Sequence, residues 1–110
     1  MFGWVWMLLA IAAEIVATSS LKASDGFSKI VPSVVVIVGY FTSFWLFSLA
    51  LKAGVPIGLS YAVWSGVGTI GILLVGRVVY GEVHTALQYA GAAVVLGGVA
   101  MMVLGGPAVE

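Results

Sequence analysis

One carboxylate stands where carboxylates are expensive. Glu14 lies inside an uncharged apolar stretch from Phe2 to Leu21, about as long as the roughly 20 residues a helix needs to cross a bilayer. At that depth an acid costs about 2.5 to 3.5 kcal/mol on insertion scales, so its presence points to use rather than accident. At three- and four-residue spacing around it lie Met7, Ala10, Ile11, Ala17 and Thr18, a stripe in which the neighbours of the acid are small. Small residues there either leave room for a ligand or let another helix approach closely; the sequence is compatible with both. No Lys or Arg falls inside the spans as an evident partner. The carboxyl group must then be neutralised by a proton or by a cation that arrives with a ligand, because a low-dielectric surrounding penalises the bare charge. The two occupants exclude each other. That is the minimum equipment for exchanging a proton against a cation, and two such acids facing each other would titrate as a coupled pair.

A second group lies between Pro56 and Gly68. Tyr61, Trp64, Ser65 and Gly68 fall at i, i+3, i+4 and i+7, which the spacing predicts to share one helix face. An aromatic pair at membrane depth can stack on, and attract, an apolar cation, while a Tyr hydroxyl can hydrogen-bond a carboxylate. Aromatic packing explains the same spacing equally well. Gly66 and Gly68 weaken the helix locally and can serve as a kink, or they admit a neighbouring helix.

The elements that would position these residues follow from composition. The chain has 110 residues, 63% of them hydrophobic and only 7% charged, with a mean hydropathy of +1.25, which marks an integral membrane protein. Four basic and four acidic residues create no field for nucleic acid. With no cysteine and one histidine, neither a thiolate or histidine-cluster metal site nor thiol catalysis is expected, and no cofactor motif is present. The expected fold is all-α, a single four-helix transmembrane domain over 1–110 with spans at about Phe2–Leu21, Ile30–Leu51, Ile57–Val79 and Thr85–Leu104. The first stretch lacks a basic leader and carries Glu14 in its apolar region, so it reads as a permanent span rather than a cleaved signal.

Between the spans lie a polar loop, Lys22 to Lys29, with Gly26 for a turn, a short Lys52-Ala53-Gly54-Val55-Pro56 junction, and a tight Tyr80 to His84 connection. Pro32 suits a first helical turn. Arg77 can snorkel from a helix end. Glu82 and His84 read as solvated loop residues, and the tail from Ala108 to Glu110 carries no evident role. Trp4, Trp6, Tyr40, Trp45, Tyr80 and Tyr89 include several near span ends, as in an aromatic belt. Gly91, Gly98 and Gly105 repeat at seven residues on the fourth span, a small-residue seam suited to dimerisation. Lys22, Lys29 and Arg77 lie on one side against Lys52 on the other. This slender bias favours termini outside the cytoplasm but leaves room for insertion in both directions, and a chain that inserts both ways can pair with its inverted copy.

These residues resemble the small multidrug resistance family of bacterial four-helix transporters across nearly the whole chain. The resemblance rests on Ala13-Glu14-Ile15 with Thr18, on Leu21 through Phe27 continuing past Lys29 to Pro32-Ser33, and on Pro56 through Gly68. It implies an antiparallel, dual-topology homodimer in the bacterial inner membrane that exchanges protons for hydrophobic cations by alternating access, without covalent catalysis. By the same resemblance Glu14 is the shared proton and substrate site, and Tyr40, Tyr61 and Trp64 line the pocket. Gly66-Val67-Gly68 bends the third helix, and Gly91 and Gly98 hold the dimer. Ala17, where the family's guanidinium exporters have Trp, together with Tyr40 and Ser65, is similar to the quaternary-ammonium branch. Trp4 stands where multidrug members often have Tyr, at a position that can contact ligand. A guanidinium exporter, or one half of a heterodimeric polyamine-type exporter, are the alternatives.

Overall fold

The computed structural model describes residues 2–106; Pro107 and the expected tail, Ala108 to Glu110, lie outside the described residues. The described chain is all-helical: α1 (Phe2–Ala23), α2 (Ile30–Lys52), α3 (Ile57–Val79) and α4 (Ala86–Leu104). At 1.5 Å per residue the 22 residues of α1 run about 33 Å and the 19 of α4 about 28 Å, each close to the thickness of a hydrocarbon core. Lys22, Lys52 and Arg77 sit in the last turns of α1, α2 and α3, where a cation also complements the negative helix end. The chain divides into two compact units, one running through Ile57 and the other from Gly58.

The first unit is an antiparallel pair, α1 against α2. Apolar side chains gain little by meeting each other rather than lipid, so close backbone approach has to supply the attraction. The buried residues of α1, Gly3, Met7, Ala10, Ile11 and Ala17, follow helical spacing. Those of α2, Val36, Ser43 and Ala50, recur every seven residues. The helices meet closely at two places. Near one end a Cβ on Gly3 would collide with Val55, in the linker just after α2, and touch the Ala50 carbonyl; near the other, a Cβ on Gly39 would lie 2.8 Å from the Ala17 Cβ and 3.2 Å from its Cα.

The loop between α1 and α2 is organised by Ser24, which is fully buried. Its hydroxyl donates to the Leu21 carbonyl at 2.7 Å and accepts from the Phe27 N–H, while its own carbonyl takes the N–H groups of Ser28 and Lys29. The turn needs three consecutive left-handed residues, Asp25, Gly26 and Phe27, at φ of 49°, 69° and 63°. The sequence marks only Gly26 as free to do this. Asp adopts the region readily, whereas Phe27 pays about 1–2 kcal/mol for it.

In the second unit α3 remains helical through Gly66, Val67 and Gly68. A Cβ on Gly66 would strike the Val99 side chain, so this glycine seats a residue of α4. The linker folds back on α3. Glu82 N–H donates to the Gly76 carbonyl at 2.9 Å, and the Glu82 carboxylate lies where a Gly76 side chain would be. His84 Nε2 is 3.1 Å from the Leu73 carbonyl, and its ring meets Tyr89 edge to face at 5.6 Å. The reading of both loop residues as solvated holds for the exposure of Glu82 and is corrected for His84, which is half-buried. Both grip the end of α3, because Gly76 leaves a side-chain-sized gap and the Leu73 carbonyl accepts a second bond.

Thr85 stands just outside α4 and caps it. Its hydroxyl accepts from the Gln88 N–H at 3.2 Å, and the Gln88 side chain accepts from the Thr85 N–H at 2.9 Å. Such a reciprocal box satisfies two donors the helix cannot. Thr85→Ala is expected to cost about 1 kcal/mol, read as faster amide exchange in residues 86–89 in detergent micelles, and Thr85→Ser to restore protection. Equal exchange in all three proteins would remove the cap from the account.

Candidate functional site

Glu14 is half-buried at the edge of the packed stripe of α1, with Ala10 and Ile11 one turn before it and Ala17 and Thr18 one turn after. The helix supplies its own first partner. Thr18, four residues on, projects back toward Glu14 because helical side chains lean toward the N-terminus, and its Oγ1 donates to Glu14 Oε1 at 3.2 Å. From α2, the Tyr40 hydroxyl reaches Thr18 Oγ1 at 2.5 Å. The second carboxylate oxygen, Oε2, is buried and has no hydrogen-bond partner among the described residues. The nearest basic residue along α1 is Lys22, eight residues and about 12 Å away.

The other expected residues fall as follows. Met7 and Ala10 are fully buried, Ile11 nearly so, and Trp4 is half-buried. Ala17 is fully buried, and its side chain meets Gly39, so here the small residue admits α2. In the second unit Trp64 is 7% exposed and Tyr61 63%, their rings 6.4 Å apart at 65°. The predicted shared face of Tyr61, Trp64, Ser65 and Gly68 is split: Trp64 and Gly68 are buried, Tyr61 and Ser65 exposed. The reason is angular. At about 100° per residue an i, i+3, i+4, i+7 set spans two neighbouring rows, and the edge of burial runs between them. Gly91 and Gly98 lie on the open surface of α4, a helix with no buried residue, and a Cβ on either would meet nothing within 4 Å.

Two features were not visible beforehand. Gly39 sets the approach of α2 at the level of Ala13 and Ala17; its own spacing does not single it out, although an Ala-x-x-x-Ala pair opposite a glycine is the ordinary signature of close helices. The link from Tyr40 to the acid by way of Thr18 was also missed, since nothing in spacing connects residues 22 positions apart.

Four helices, each long and apolar enough to cross a bilayer, with an acid at the edge of the packed face of the first, define a small multi-pass membrane protein. Comparison with known proteins narrows the class: the model of the family described as Small Multidrug Resistance protein matches residues 2–96, and the chain belongs to that family of transporters. It is 41% identical over 102 residues to the quaternary ammonium compound-resistance protein QacE of Escherichia coli, covering 93% of this chain and 92% of that one. It is 38% identical over 102 residues to QacF of Klebsiella aerogenes, with the same coverage, and 38% identical over 100 residues to the multidrug resistance protein EbrA of Bacillus licheniformis, covering 91% and 94%.

Proposed function

We propose that this chain is a proton-coupled antiporter that exports hydrophobic and quaternary ammonium cations, with proton and substrate competing for Glu14. The observation that carries the reading is the half-satisfied carboxylate: Oε1 is held by Thr18, and Oε2, on a bilayer-length helix, is buried without a partner among the described residues. A structural acid would be paired; this one has an oxygen left to take either a proton or a cation. The quaternary-ammonium resistance for which QacE and QacF are named supports the substrate class.

Each protomer contributes one four-helix transmembrane domain to an antiparallel homodimer in the bacterial inner membrane, and the two Glu14 side chains alternate between its faces. On the first unit Trp4, Met7, Ala10, Ile11, Thr18 and Tyr40 surround Glu14 as substrate-contacting residues, with Ala17 left to the α1–α2 packing; on the second unit Tyr61 and Trp64 supply aromatic faces for the cation. Gly66 and Gly68 supply the bend of α3, and the open glycine row at Gly91 and Gly98 on α4 the dimer contact. The transport step makes and breaks no covalent bond.

The test is proton release by the purified protein in detergent, measured over a series of pH values. Tetraphenylphosphonium and a benzalkonium compound are expected to release protons, and guanidinium to release none. Release with guanidinium alone would replace the substrate class. Absence of release with all three would overturn autonomous exchange and favour the heterodimer, for which the three-to-one distribution of basic residues is the supporting observation.

A further inference from the structure

The two hydroxyls beside Glu14 have a direction. Thr18 carries a single hydroxyl proton, and that proton is donated to Glu14 Oε1. The 2.5 Å contact between Thr18 Oγ1 and the Tyr40 hydroxyl also needs a proton between the oxygens, and only Tyr40's remains to fill it. Tyr40 therefore donates to Thr18, and Thr18 donates to Glu14. Both dipoles point at the carboxyl group. At this level α2, the helix packed on α1, brings no other titratable side chain; Lys22 and Lys52 lie in last turns, and Asp25 and Lys29 in the loop.

We propose that Tyr40 and Thr18 form a one-way hydrogen-bond chain that reserves Oε1 for the Thr18 hydroxyl and assigns the exchangeable proton, and in its turn the cation, to Oε2. The proposal rests on the exchange reading above and specifies which atom carries it out. Protonation at Oε1 would leave Thr18 donating to a hydroxyl oxygen, a poorer acceptor than a carbonyl, or make it turn round and donate to Tyr40. In the second case Tyr40's own proton would need an acceptor that the described residues do not offer it. Protonation at Oε2 leaves both bonds in place, with Oε1 as the carbonyl oxygen that Thr18 continues to hold. It also relieves the unpaired oxygen, since a buried neutral O–H is far cheaper than a buried anionic oxygen without a partner. Thr18 is thus a positioning residue: it keeps the carboxyl plane and one oxygen fixed while the other exchanges occupants.

The experiment is infrared difference spectroscopy of the purified protein between mildly basic and acidic pH, with the Glu14 band identified by its loss in Glu14→Gln. If the proton sits on Oε2, the carbonyl stretch belongs to Oε1, and a hydrogen bond to Oε1 lowers its frequency. Thr18→Val, close in shape but without the hydroxyl, is expected to move the band to higher wavenumber, and Thr18→Ser to return it to the wild-type position. Tyr40→Phe removes the upstream donor and leaves Thr18, so it is expected to move the band the same way by less; it provides the test if Thr18→Val does not fold. A Glu14 band unmoved in Thr18→Val, or in Tyr40→Phe where that variant is used, would overturn the assignment to Oε2 while leaving proton exchange standing. Absence of any Glu14-dependent carboxyl band would overturn proton exchange itself, and the assignment with it.

Discussion

Glu14→Gln is expected to fold, to insert, and to lose proton-driven export completely. The amide has the size of the carboxyl group, and its oxygen can still accept from Thr18, so the α1 stripe and the contact with Tyr40 need no rearrangement. A neutral amide also costs less at membrane depth than a carboxylate. What disappears is the alternation between two occupants, since Gln neither binds nor releases a proton. Uptake of a quaternary ammonium compound into proteoliposomes under a pH gradient should therefore fall to the level of protein-free vesicles, while helical content in micelles is unchanged. Active, gradient-driven exchange retained by Glu14→Gln would sink the central role given to this residue.

The same comparison shows how much of this molecule its sequence discloses. Hydrophobic length and the confinement of charge to helix ends are one-dimensional properties, so the four helices and their polar junctions could be read directly. Glu14 could be read too, because an acid inside an apolar stretch is conspicuous whatever surrounds it. Pair relations were harder. The direction in which Tyr61 and Trp64 face differs by only a fraction of a turn, and a line of burial passing between them separates residues that a helical wheel groups together. His84 read as solvated because loop polarity usually means that, yet the carbonyl of Leu73 draws its ring back onto α3, while Glu82 stays exposed even as its carboxylate lies over Gly76. In the first loop one glycine was visible, whereas the chain uses three left-handed residues, since Ser24 satisfies enough backbone groups to offset the strain at Phe27.

Gly39 is the clearest instance of a residue whose importance lies wholly in what faces it, and its replacement is expected to give the largest loss of stability. A Cβ at this position would lie 2.8 Å from the Ala17 Cβ, 3.2 Å from the Ala17 Cα and 3.4 Å from the Ala13 carbonyl oxygen. Two of those three atoms are backbone and the third is a methyl group with no torsion to turn away, so Gly39→Ala must push α1 and α2 apart. Overpacking of this kind costs about 1–3 kcal/mol. Tyr40 is the next residue, so separation also lengthens its 2.5 Å contact with Thr18. If the Cβ–Cβ clash is the cause, moving the methyl group from one helix to the other should relieve it. Ala17→Gly combined with Gly39→Ala keeps one methyl at the crossing, and the tightest remaining approaches, 3.2 and 3.4 Å, need only a few tenths of an ångström of adjustment. Unfolding of α1 and α2 in mixed micelles, followed for wild type, each single variant and the pair, should show a favourable coupling of about 0.5–3 kcal/mol. Additive losses in the pair, or a neutral Gly39→Ala, would mean that the helices are held at this distance by something other than the contact of residues 17 and 39. Recovery of the Tyr40–Thr18 link in the double variant, read as return of the Glu14 infrared band to its wild-type position, would tie the packing of two small residues to the orientation of the acid one turn away.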